Sequence, residues 1–563
     1  MDYRNLLEAA TGRHKAELVL KNAMLLDVYN AEFFKGDLAI EQGFIAGIGE
    51  YDGVKELDCT GRYIVPTFID GHMHIESSMV TPAQYSRAVI PHGVTTVLAD
   101  PHEIANVLGK DGIIWLMEAA KGLLVDFRFM IPSCVPSAPN EHSGHDLPVA
   151  DMAALRELSQ TQGLGEMMDF PTLLAGSETI AQKLLAFAGM PQDGHGPGIT
   201  GKALNAYVAA GIMTEHECST PEEMAERIRL GMYIQIREGT PAKNAPALLP
   251  QVNDKNWHRC FFCTDDKDPL DILKEGTIDH IIRLAIAGGM DPARAYTMAS
   301  FNPAAAYGLS DRGALSPGKL ANFVVLDHLT DVSIQMVFAK GQPIYKVGEP
   351  LTFAVPDFPR PPSPIKIHKI YKADLTLEGT HYNALQMNPG SLLTPLVQGT
   401  IEDAGFPYSQ GLCKLVNVER HRGLPLLGVC AMTGFGIKHG AIATTIVHDA
   451  HNLLCVGDND EDILLAIHRA AEIGGGIVMV CGGKILHELH LPIAGLITDD
   501  PVEEVAEKLG AMNKTAHTTF EIPQDVDPFL ALSFMALPVI PDVKLTVEGL
   551  FHVTDQKLIP PVY

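Results

Sequence analysis

Apolar runs that end in polar or ionisable side chains recur through the first half of the chain, and each predicts a short strand. Eight such runs lie at residues 63–74, 93–103, 123–133, 164–169, 189–196, 211–217, 232–239 and 259–266. The stretches between them carry helix signals, such as the segment 221–230 and Asp291 as a cap before Pro292. Eight strand–helix units favour a (β/α)8 TIM barrel, although the alternation alone also permits a doubly wound sheet.

Two β-rich segments flank this middle part, at residues 17–65 and 313–346. Turn residues such as Gly43 separate their short apolar runs. We expect the two segments to pair into one small β-sandwich domain around the barrel; two unrelated β segments are the alternative. The predicted bounds are 1–62 with 312–352 for the β domain and 63–311 for the barrel.

A proline-rich stretch at 351–365, LTFAVPDFPRPPSPI, predicts a linker. The residues beyond it mix strand-like runs such as GAIATTIVHD with helical ones such as DEDILLAIHRAAEIGGG. They predict a compact C-terminal α+β domain at 353–563. The predicted fold class is therefore α/β, a (β/α)8 barrel with a small β-sandwich domain from both flanks and an α+β domain after it.

Composition excludes several classes of protein. The chain has 563 residues, 46% hydrophobic and 20% charged, a balance that excludes a disordered chain. Its 42 Lys and Arg against 68 Asp and Glu give a net charge of −26, so we expect no binding to nucleic acid or to membranes. The N-terminus lacks a secretion signal, and no apolar run reaches the ~18 residues of a membrane span. Nine cysteines, an odd number in a long chain, favour reduced thiols in the cytoplasm.

The candidate chemistry begins with His72 and His74, which stand two positions apart on a predicted strand and therefore point to the same face. Such a pair forms a bidentate metal site, but an HxH pair alone is weak evidence. Further candidate ligands lie in or after the fourth, fifth, sixth and eighth predicted strands: Glu166, His195, His216 and Asp265. Each of these residues alone could equally be a surface or core residue with no metal. Because the carboxyl ends of barrel strands meet at one face, the joint pattern predicts a metal-dependent barrel with two divalent ions bridged by Glu166.

Longer strings give the chain a resemblance to a known family. It resembles the amidohydrolase superfamily and, within it, the bacterial adenine deaminases. The strings in the first half are IDGHMHIESSM (69–79), DPHEI (100–104), GEMMD (165–169), GHGPG (194–198), LNAY (204–207), HE (216–217), REG (237–239) and CTDD (263–266). Those in the second half are RHR (420–422), GIKHG (436–440), VHDAHN (447–452) and PIAGL (492–496). IESSM and DPHEI are far more specific than HxH, and the resemblance covers nearly the whole chain.

The resemblance implies hydrolytic deamination of adenine to hypoxanthine and ammonia, a purine salvage reaction, by a metal-bound hydroxide that attacks C6. It implies two divalent ions per chain, Mn²⁺ or Fe²⁺, with Zn²⁺ as the alternative. Many members of the superfamily bridge their metals with a carboxylated lysine from the fourth strand. Here Glu166 stands at that place, as in adenine deaminases. Members of the superfamily are commonly oligomeric, so the resemblance also implies a homo-oligomer.

Several side chains around this centre have an expected role. Asp265 is expected to take the proton of the hydroxide and pass it to the leaving amine. Asp266 either supports that role or caps the helix that follows. His102 and Glu103 follow the second strand and either contact the purine or only orient the metal ligands. A structural or mouth-lining role, rather than a second metal site, is expected for His448, Asp449 and His451.

Two other functions stay open at this point. One is an amidohydrolase that cleaves a cyclic amide or deaminates another aminated ring at the same metal site. The other is a metal-binding scaffold that has kept the barrel and lost catalysis. The complete ligand set argues against the scaffold, and a panel of substrates separates the enzymes.

Overall fold

The computed structural model describes residues 3–138, 141–352, 355, 358–362, 365–401, 406 and 408–563. The predicted linker at 351–365 lies partly outside these residues, since 353, 354, 356, 357, 363 and 364 are not among them. Within the described part, no helix has both the length and the apolar character that crossing a lipid bilayer requires.

The chain opens with helix α1 (Tyr3–Ala10) and a run of five strands. They are β1 (Ala16–Asp27), β2 (Glu32–Glu41), β3 (Phe44–Gly49), β4 (Gly53–Asp58) and β5 (Tyr63–Pro66). β2 and β3 form a hairpin whose turn residues, Gln42 and Gly43, both have positive φ, 50° and 82°. This turn geometry matches the twist of paired strands. A Cβ on Gly43 would lie 3.1 Å from the Lys340 carbonyl oxygen, so the hairpin also packs against the second flank.

Eight parallel strands follow, at the positions where the sequence predicts them. They are β6 (Phe68–Met73), β7 (Val94–Ala99), β8 (Asp126–Ile131), β9 (Thr161–Met167), β10 (Gln192–Gly194), β11 (Thr214–Glu215), β12 (Tyr233–Arg237) and β13 (Cys260–Cys263). They form two hydrogen-bonded arcs, β10-β9-β8-β7-β6 and β11-β12-β13. The ends of the arcs approach each other, because Met213 N–H donates to Gln192 O (3.0 Å) and Asp265 N–H donates to His72 O (2.9 Å). The result is a curled parallel sheet.

The predicted first strand, 63–74, is two strands in the structure. Tyr63–Pro66 belongs to the flank sheet, and the curled sheet begins at Phe68. Pro66 has no N–H with which to continue the ladder, so the chain changes partners there. After the break, Phe68 N–H donates to Gly93 O (2.9 Å). Residues 63–66, predicted to lie in the barrel, therefore pair with the β domain.

Twelve α-helices connect and surround these strands in the described part of residues 82–306. They are α2 (Pro82–Val89), α3 (His102–Ala120), α4 (Val149–Arg156), α5 (Phe170–Leu174), α6 (Glu178–Ala186), α7 (Gly201–Ala209), α8 (Pro221–Arg229), α9 (Ala245–Leu248), α10 (Pro269–Glu275), α11 (Ile278–Ala287), α12 (Pro292–Met298) and α13 (Phe301–Ala306). Two predicted starts are confirmed. α8 begins at Pro221 behind a capping box of Thr220 and Glu223, and Asp291 caps α12 by accepting from Arg294 N–H (3.2 Å).

The second flank supplies β14 (Phe323–Leu326), β15 (Ile334–Ala339) and β16 (Gln342–Lys346). β14 pairs antiparallel with β5, which joins the two flanks in one sheet of order β16-β15-β14-β5-β1-β2-β3, with β4 paired to β1. Apolar side chains from both flanks, among them Leu25, Ile64 and Phe323, share one buried cluster.

The C-terminal part contains a second large sheet. Its strands are β17 (His381–Gln386), β18 (Leu396–Thr400), β19 (Cys413–Val418), β20 (Leu427–Thr433), β21 (Ala441–Thr444), β22 (Leu453–Gly457), β23 (Gly476–Cys481) and β24 (Lys484–His490), in the order β18-β17-β20-β19-β22-β21-β23-β24. A three-stranded sheet follows, of β25 (Val543–Thr546), β26 (Gly549–His552) and β27 (Lys557–Leu558). The helices are α14 (Asp460–Glu472), α15 (Val502–Thr518) and α16 (Pro528–Ser533). Short 3-10 turns along the whole chain lie at Ile75–Ser78, Ile90–His92, Leu249–Gln251, Trp257–Arg259, Lys372–Leu375 and Tyr408–Gln410.

The C-terminal part attaches to the curled sheet just after its first strand. Thr81 N–H donates to Thr498 O (3.0 Å), and Thr498 N–H donates to Met79 O (2.9 Å). Val80 and Leu496 belong to one buried apolar cluster that runs through both parts. Residues 79–81, which lie a few positions beyond His74, are thus held by backbone pairing and by apolar burial.

Candidate active site

His72 and His74 come from β6 and its end, and the alternation of the strand directs both imidazoles to one side. Their Nε2 atoms each lie 3.0 Å from Glu166 Oε1. The Nδ1 atom of His74 lies 2.9 Å from the Asp100 carbonyl oxygen. A carbonyl only accepts, so this nitrogen carries a proton, and in the neutral ring Nε2 has the lone pair that can bind a metal.

Glu166, in β9, lies between two pairs of histidines. Its Oε1 faces His72 and His74, and its Oε2 lies 2.8 Å from His195 Nδ1 and 3.6 Å from His216 Nε2. His195 directly follows β10 and His216 directly follows β11. One buried carboxylate thus spans both halves of the cluster, which is the geometry of a bridging ligand.

Asp265 closes the cluster from the end of β13. Its Oδ1 lies 3.0 Å from His74 Nε2 and 3.5 Å from His72 Nε2. Its Oδ2 accepts a hydrogen bond of 2.7 Å from Arg237. Burial alone would raise the pKa of this carboxyl, but Arg237 and the histidines hold it well below its usual range. The six predicted ligand candidates therefore converge at one end of the curled sheet.

The polar atoms at the centre of this cluster fit a divalent cation. His72 Nε2 and Glu166 Oε1 are both buried and, within the described residues, neither has a hydrogen-bond partner. The two atoms lie 3.0 Å apart but form no hydrogen bond. A cation held by both would offset the cost of about 1–3 kcal/mol of a buried polar atom without a hydrogen bond. The ligand atoms of His72, Glu166, His216 and Asp265 all lie within 4.8 Å of one another. Imidazole and carboxylate are ligands that Zn²⁺, Mn²⁺ and Fe²⁺ accept.

The four histidines of the cluster differ in charge state. Despite burial, the nearby carboxylates raise the ring pKa of His72, His74 and His195, and among the four only the pKa of His216 is lowered. Burial and the neighbouring His72 lower the pKa of its ring to about 3. The imidazole is therefore neutral at physiological pH and keeps a lone pair on one nitrogen.

Comparisons with known proteins show the family to which the chain belongs. The Amidohydrolase family model matches residues 63–344, and the model described as Adenine deaminase C-terminal domain matches residues 394–557. Adenine deaminase of Bacillus pumilus is 44% identical over 99% of this chain and 99% of its own length. Adenine deaminase of Nitratidesulfovibrio vulgaris (strain DP4) is 43% identical over 98% of each chain. This chain belongs to the adenine deaminase family. Among solved structures, N-acetyl-D-glucosamine-6-phosphate deacetylase from Mycobacterium smegmatis matches 58% of this chain and 100% of its own, at 17% identity and a TM-score of 0.45.

The family resemblance predicted from the sequence strings is thus confirmed. Adenine deaminases are amidohydrolases, a family that typically binds divalent metals, and the cluster around Glu166 has the side chains to hold one.

No role was predicted from the sequence for Asp100, which orients two of the ligand candidates. It follows β7, and its carbonyl fixes the His74 ring. Its Oδ2 accepts from the backbone N–H of Glu166 (2.9 Å). A Cβ on Gly165 would lie 2.1 Å from the same oxygen, so only glycine leaves room for this approach. The DPHEI string contained the signal, because Asp100 ends a predicted strand.

Arg237 was also missed as a site residue, although it stands in a string that carries the resemblance. It ends β12 and forms ion pairs with Glu217 and with Asp265. All three side chains have at most 16% of their surface exposed. Arginine is not a metal ligand, so a search for ligand patterns passes over it. Its forked guanidinium lets one residue orient two carboxylates.

His102, Glu103 and Asp266 lie beside the cluster. His102 Nδ1 is 3.9 Å from Glu166 Oε1. The Ser77 hydroxyl lies 3.2 Å from Glu103 Oε1 and 2.5 Å from Asp266 Oδ1, and so connects the two carboxyls. Burial raises the pKa of Glu103 well above its usual value, and the Glu76 and Asp266 carboxylates add to this.

The alternative prediction that Asp266 caps the following helix is wrong. The N-cap of α10 is Asp268, whose side chain accepts from Asp271 N–H (2.7 Å). Asp266 instead faces the cluster, with ligand atoms within 4.8 Å of those of His74 and Asp265.

A cavity of about 650 Å³ lies over the cluster. The curled sheet provides its floor, including His74, Glu166 and Asp265. The C-terminal part provides its roof, through residues 390–393 and several residues between 534 and 541. A cavity of this volume accepts a small molecule, and the roof limits the access of solvent.

Proposed function

We propose that this protein hydrolyses adenine to hypoxanthine and ammonia, a step of purine salvage, at the cluster centred on Glu166. The observation that carries the proposal is the similarity to adenine deaminases over the full length of the chain, with both family models matched. The cluster, its cavity and its roof supply what such a reaction needs. Water and adenine enter, the C6–N6 bond breaks, and the oxygen of water becomes the C6 carbonyl of hypoxanthine.

We assign two divalent ions to the centre, Mn²⁺ or Fe²⁺, with Zn²⁺ as the alternative. Their ligands are His72, His74, Glu166, His195, His216 and Asp265. Two histidines on each oxygen of Glu166 support this count, since one tetrahedral ion needs only four ligands. Carboxylate ligands suit the harder ions.

We also infer a closed (β/α)8 barrel, with domains at 1–62 plus 312–352, at 63–311 and at 353–563. The hydrogen bonds that link the two arcs support closure, and the pairing of β5 with β14 supports a composite β domain. The bound at residue 62 shifts to 66 on the same evidence. A cytoplasmic homo-oligomer remains our expectation, and all nine cysteines are free thiols, as a reducing compartment allows.

A divalent cation, when bound, supplies Lewis acidity and lowers the pKa of water from 15.7 to about 7. The protein's own residues then move the protons. Asp265 Oδ1 faces the centre and accepts the proton of the nucleophile, and the same carboxyl delivers it to the departing amine. Arg237 holds Asp265 Oδ2, so the other oxygen stays aimed at the substrate. Asp266, which lines the cavity, shares the Ser77 hydroxyl with Glu103, and this supports a role of the two carboxyls in binding the purine.

The test is ammonia release from adenine by the metal-loaded protein, with adenosine, guanine and cytosine as comparisons. We expect adenine to have the highest kcat/KM. A site built on hydrogen bonds rejects a base that lacks the right donor or acceptor by a factor of about 10⁴–10⁵. A higher kcat/KM for another base or for the nucleoside would assign the centre to that substrate, and no chelator-sensitive turnover at all would support the scaffold.

A further inference from the structure

Between β21 and β22 the C-terminal part sends a short segment, residues 447–452, towards the site. It carries three ionisable side chains, His448, Asp449 and His451, all of them buried. They face the start of α3, where His102 and Glu103 stand. His102 Nε2 is 4.0 Å from Asp449 Oδ1, and His448 Nδ1 is 3.5 Å from Glu103 Oε1. The ionisable groups of two parts of the chain thus meet beside the catalytic cavity.

Three side chains lie close to the Glu103 carboxyl. The Ser77 hydroxyl lies 3.2 Å from Oε1 and also hydrogen-bonds Asp266, a residue that lines the cavity. His448 lies near the same oxygen, and His451 Nε2 is 4.0 Å from Oε2. The ring of His448 stacks on Phe534 of the roof, with centroids 4.4 Å apart and planes 16° apart, which fixes its orientation.

The tautomer of His451 follows from its other nitrogen. His451 Nδ1 accepts a hydrogen bond of 3.1 Å from the backbone N–H of Val447. In a neutral imidazole the proton is then on Nε2. This nitrogen is buried and, within the described residues, has no hydrogen-bond partner. A protonated Nε2 cannot bind a cation, so the distances that would allow Glu103, His448 and His451 to form a metal site are not used for one. The Nε2 donor instead lies 4.0 Å from Glu103 Oε2.

The segment is anchored firmly enough to hold a neighbour. The fully buried Arg420 donates from Nε to the His451 carbonyl and from a terminal nitrogen to Ala494 O (2.9 Å). Asn452 donates to His142 O (3.1 Å), which ties the segment to the loop after β8. Buried donors with several fixed acceptors leave the segment little freedom.

We propose that His448 and His451 are positioning residues, through which the C-terminal domain holds the buried Glu103 carboxyl, which is connected through the Ser77 hydroxyl to Asp266 in the wall of the cavity. This assignment rests on the proposed function. It gives the C-terminal domain a part in catalysis that goes beyond covering the cavity, since the carboxyl that shares a hydroxyl with Asp266 is held by side chains more than 340 positions away in sequence.

The test is a double-mutant cycle on the full-length, metal-loaded protein. His451→Phe removes the Nε2 donor and keeps an aromatic ring. We expect it to lower kcat/KM for adenine about tenfold when Glu103 is present, and less than twofold when Glu103→Gln is present. His451→Gln, whose amide still donates, should recover part of the loss. Equal losses in the two Glu103 backgrounds would overturn the proposal, whether they come from misfolding or from another effect.

Two further measurements make the result decisive. His448→Gln, taken through the same cycle, should show the same dependence on Glu103. His487→Gln is the matched control, because His487 Nε2 pairs with Thr515 Oγ1 (2.8 Å) in the same domain and away from the site. We expect its kcat/KM to stay within twofold of wild type. Turnover of adenine by the wild-type protein tests the proposed function on its own. Its absence would overturn the proposed function, whereas equal losses in the two Glu103 backgrounds would overturn only the positioning role.

Discussion

At the scale of single residues, the Glu166 carboxylate connects the two halves of the centre, because each of its oxygens faces two imidazoles. Those positions could be predicted from the sequence. A parallel strand directs its last side chain to the carboxyl edge of the sheet, so His195, His216 and Asp265 had to meet there. The roles of Arg237 and Asp100 could not be predicted, since they act on ligands rather than as ligands.

Glu166→Gln keeps the volume of the side chain and removes the charge that holds two cations together in the proposed centre. We expect its metal content to fall from two ions per chain to one or none, and its turnover of adenine to fall at least 100-fold. Elemental analysis and ammonia release measure both. The control is Glu157→Gln, an exposed carboxylate at the end of α4. A variant that binds two ions and has normal turnover would show that Glu166 is not the bridging ligand.

Asp265→Asn keeps an oxygen for the metal but cannot accept a proton. We expect a loss of about 10²–10⁴-fold in kcat, the usual cost of removing a general acid–base group. Steady-state kinetics with metal analysis separates this loss from metal loss. Asp254→Asn, at an 81% exposed side chain, serves as the control. A decrease of less than about tenfold would assign the proton transfer to another group.

Arg237→Lys tests the clamp on Asp265. A lysine ammonium is a point charge and cannot hold Glu217 and Asp265 together as the guanidinium fork does. We expect kcat to fall about 10–100-fold while the metal content stays the same. Arg283→Lys is the matched control, because Arg283 pairs with Asp279 (2.8 Å) within α11, outside the cavity. Equal behaviour of the two variants would argue that Arg237 has a structural role only.

At the scale of elements, the eight parallel strands lie where apolar runs end in polar residues, down to the two-residue strand β11. The pattern misplaced the start of the curled sheet. An apolar run does not show that Pro66 ends one ladder and that Phe68 begins another. The roof was also beyond prediction, because residues 390–393 and 534–541 reach the cavity through contacts distant in sequence.

The roof elements are tied together by Lys544 of β25. Its amine donates to Leu392 O (2.9 Å) and to Phe534 O (3.1 Å), and burial lowers its pKa to about 7. The unfolded lysine titrates near 10.4, so above pH 7 the unfolded state binds more protons than the folded state. The contribution of Lys544 to stability therefore rises from pH 7 towards pH 10, by at most about 1.4 kcal/mol per pH unit.

Lys544→Met should remove this dependence. We expect the difference in Tm between wild type and variant to shift in favour of wild type as the pH increases from 7 to 9. Lys557→Met is the control in the same domain, because the Lys557 side chain is 59% exposed and its pairing with Asp555 is at the surface. A difference in Tm that stays constant with pH would show that Lys544 is protonated throughout.

At the scale of the whole molecule, one apolar cluster and the backbone pairing at Thr498 join the C-terminal part to the curled sheet. The sequence pattern and the resemblance predicted both parts and a structural or mouth-lining role for His448, Asp449 and His451. His448 and Asp449 do line the cavity, but the other roof residues were not predicted. Because the two parts share one buried cluster, we expect metal binding at the centre to contribute to the free energy of unfolding of the whole chain.

Removal of the metal with a chelator should therefore abolish turnover and lower Tm, since buried Glu166 and Asp265 lose their counter-charges. Binding at a free metal concentration of 1,000 times Kd stabilises a fold by about 4 kcal/mol. Adding Mn²⁺ back should restore both Tm and ammonia release. An unchanged Tm across this cycle would mean that the centre is rigid without cations.

The pairing of residues 79–81 with Thr498 has a consequence for synthesis. All six ligand candidates have been translated once Asp265 is made, but the strand partner of the loop beyond His74 comes 233 residues later. At about 5–20 residues per second, the ribosome needs roughly 10–50 s for that stretch. Throughout this interval the nascent chain carries a full set of metal-binding side chains with no roof above them. The catalytic chamber is therefore open to ions from the surrounding solution before it is ever closed to bulk water.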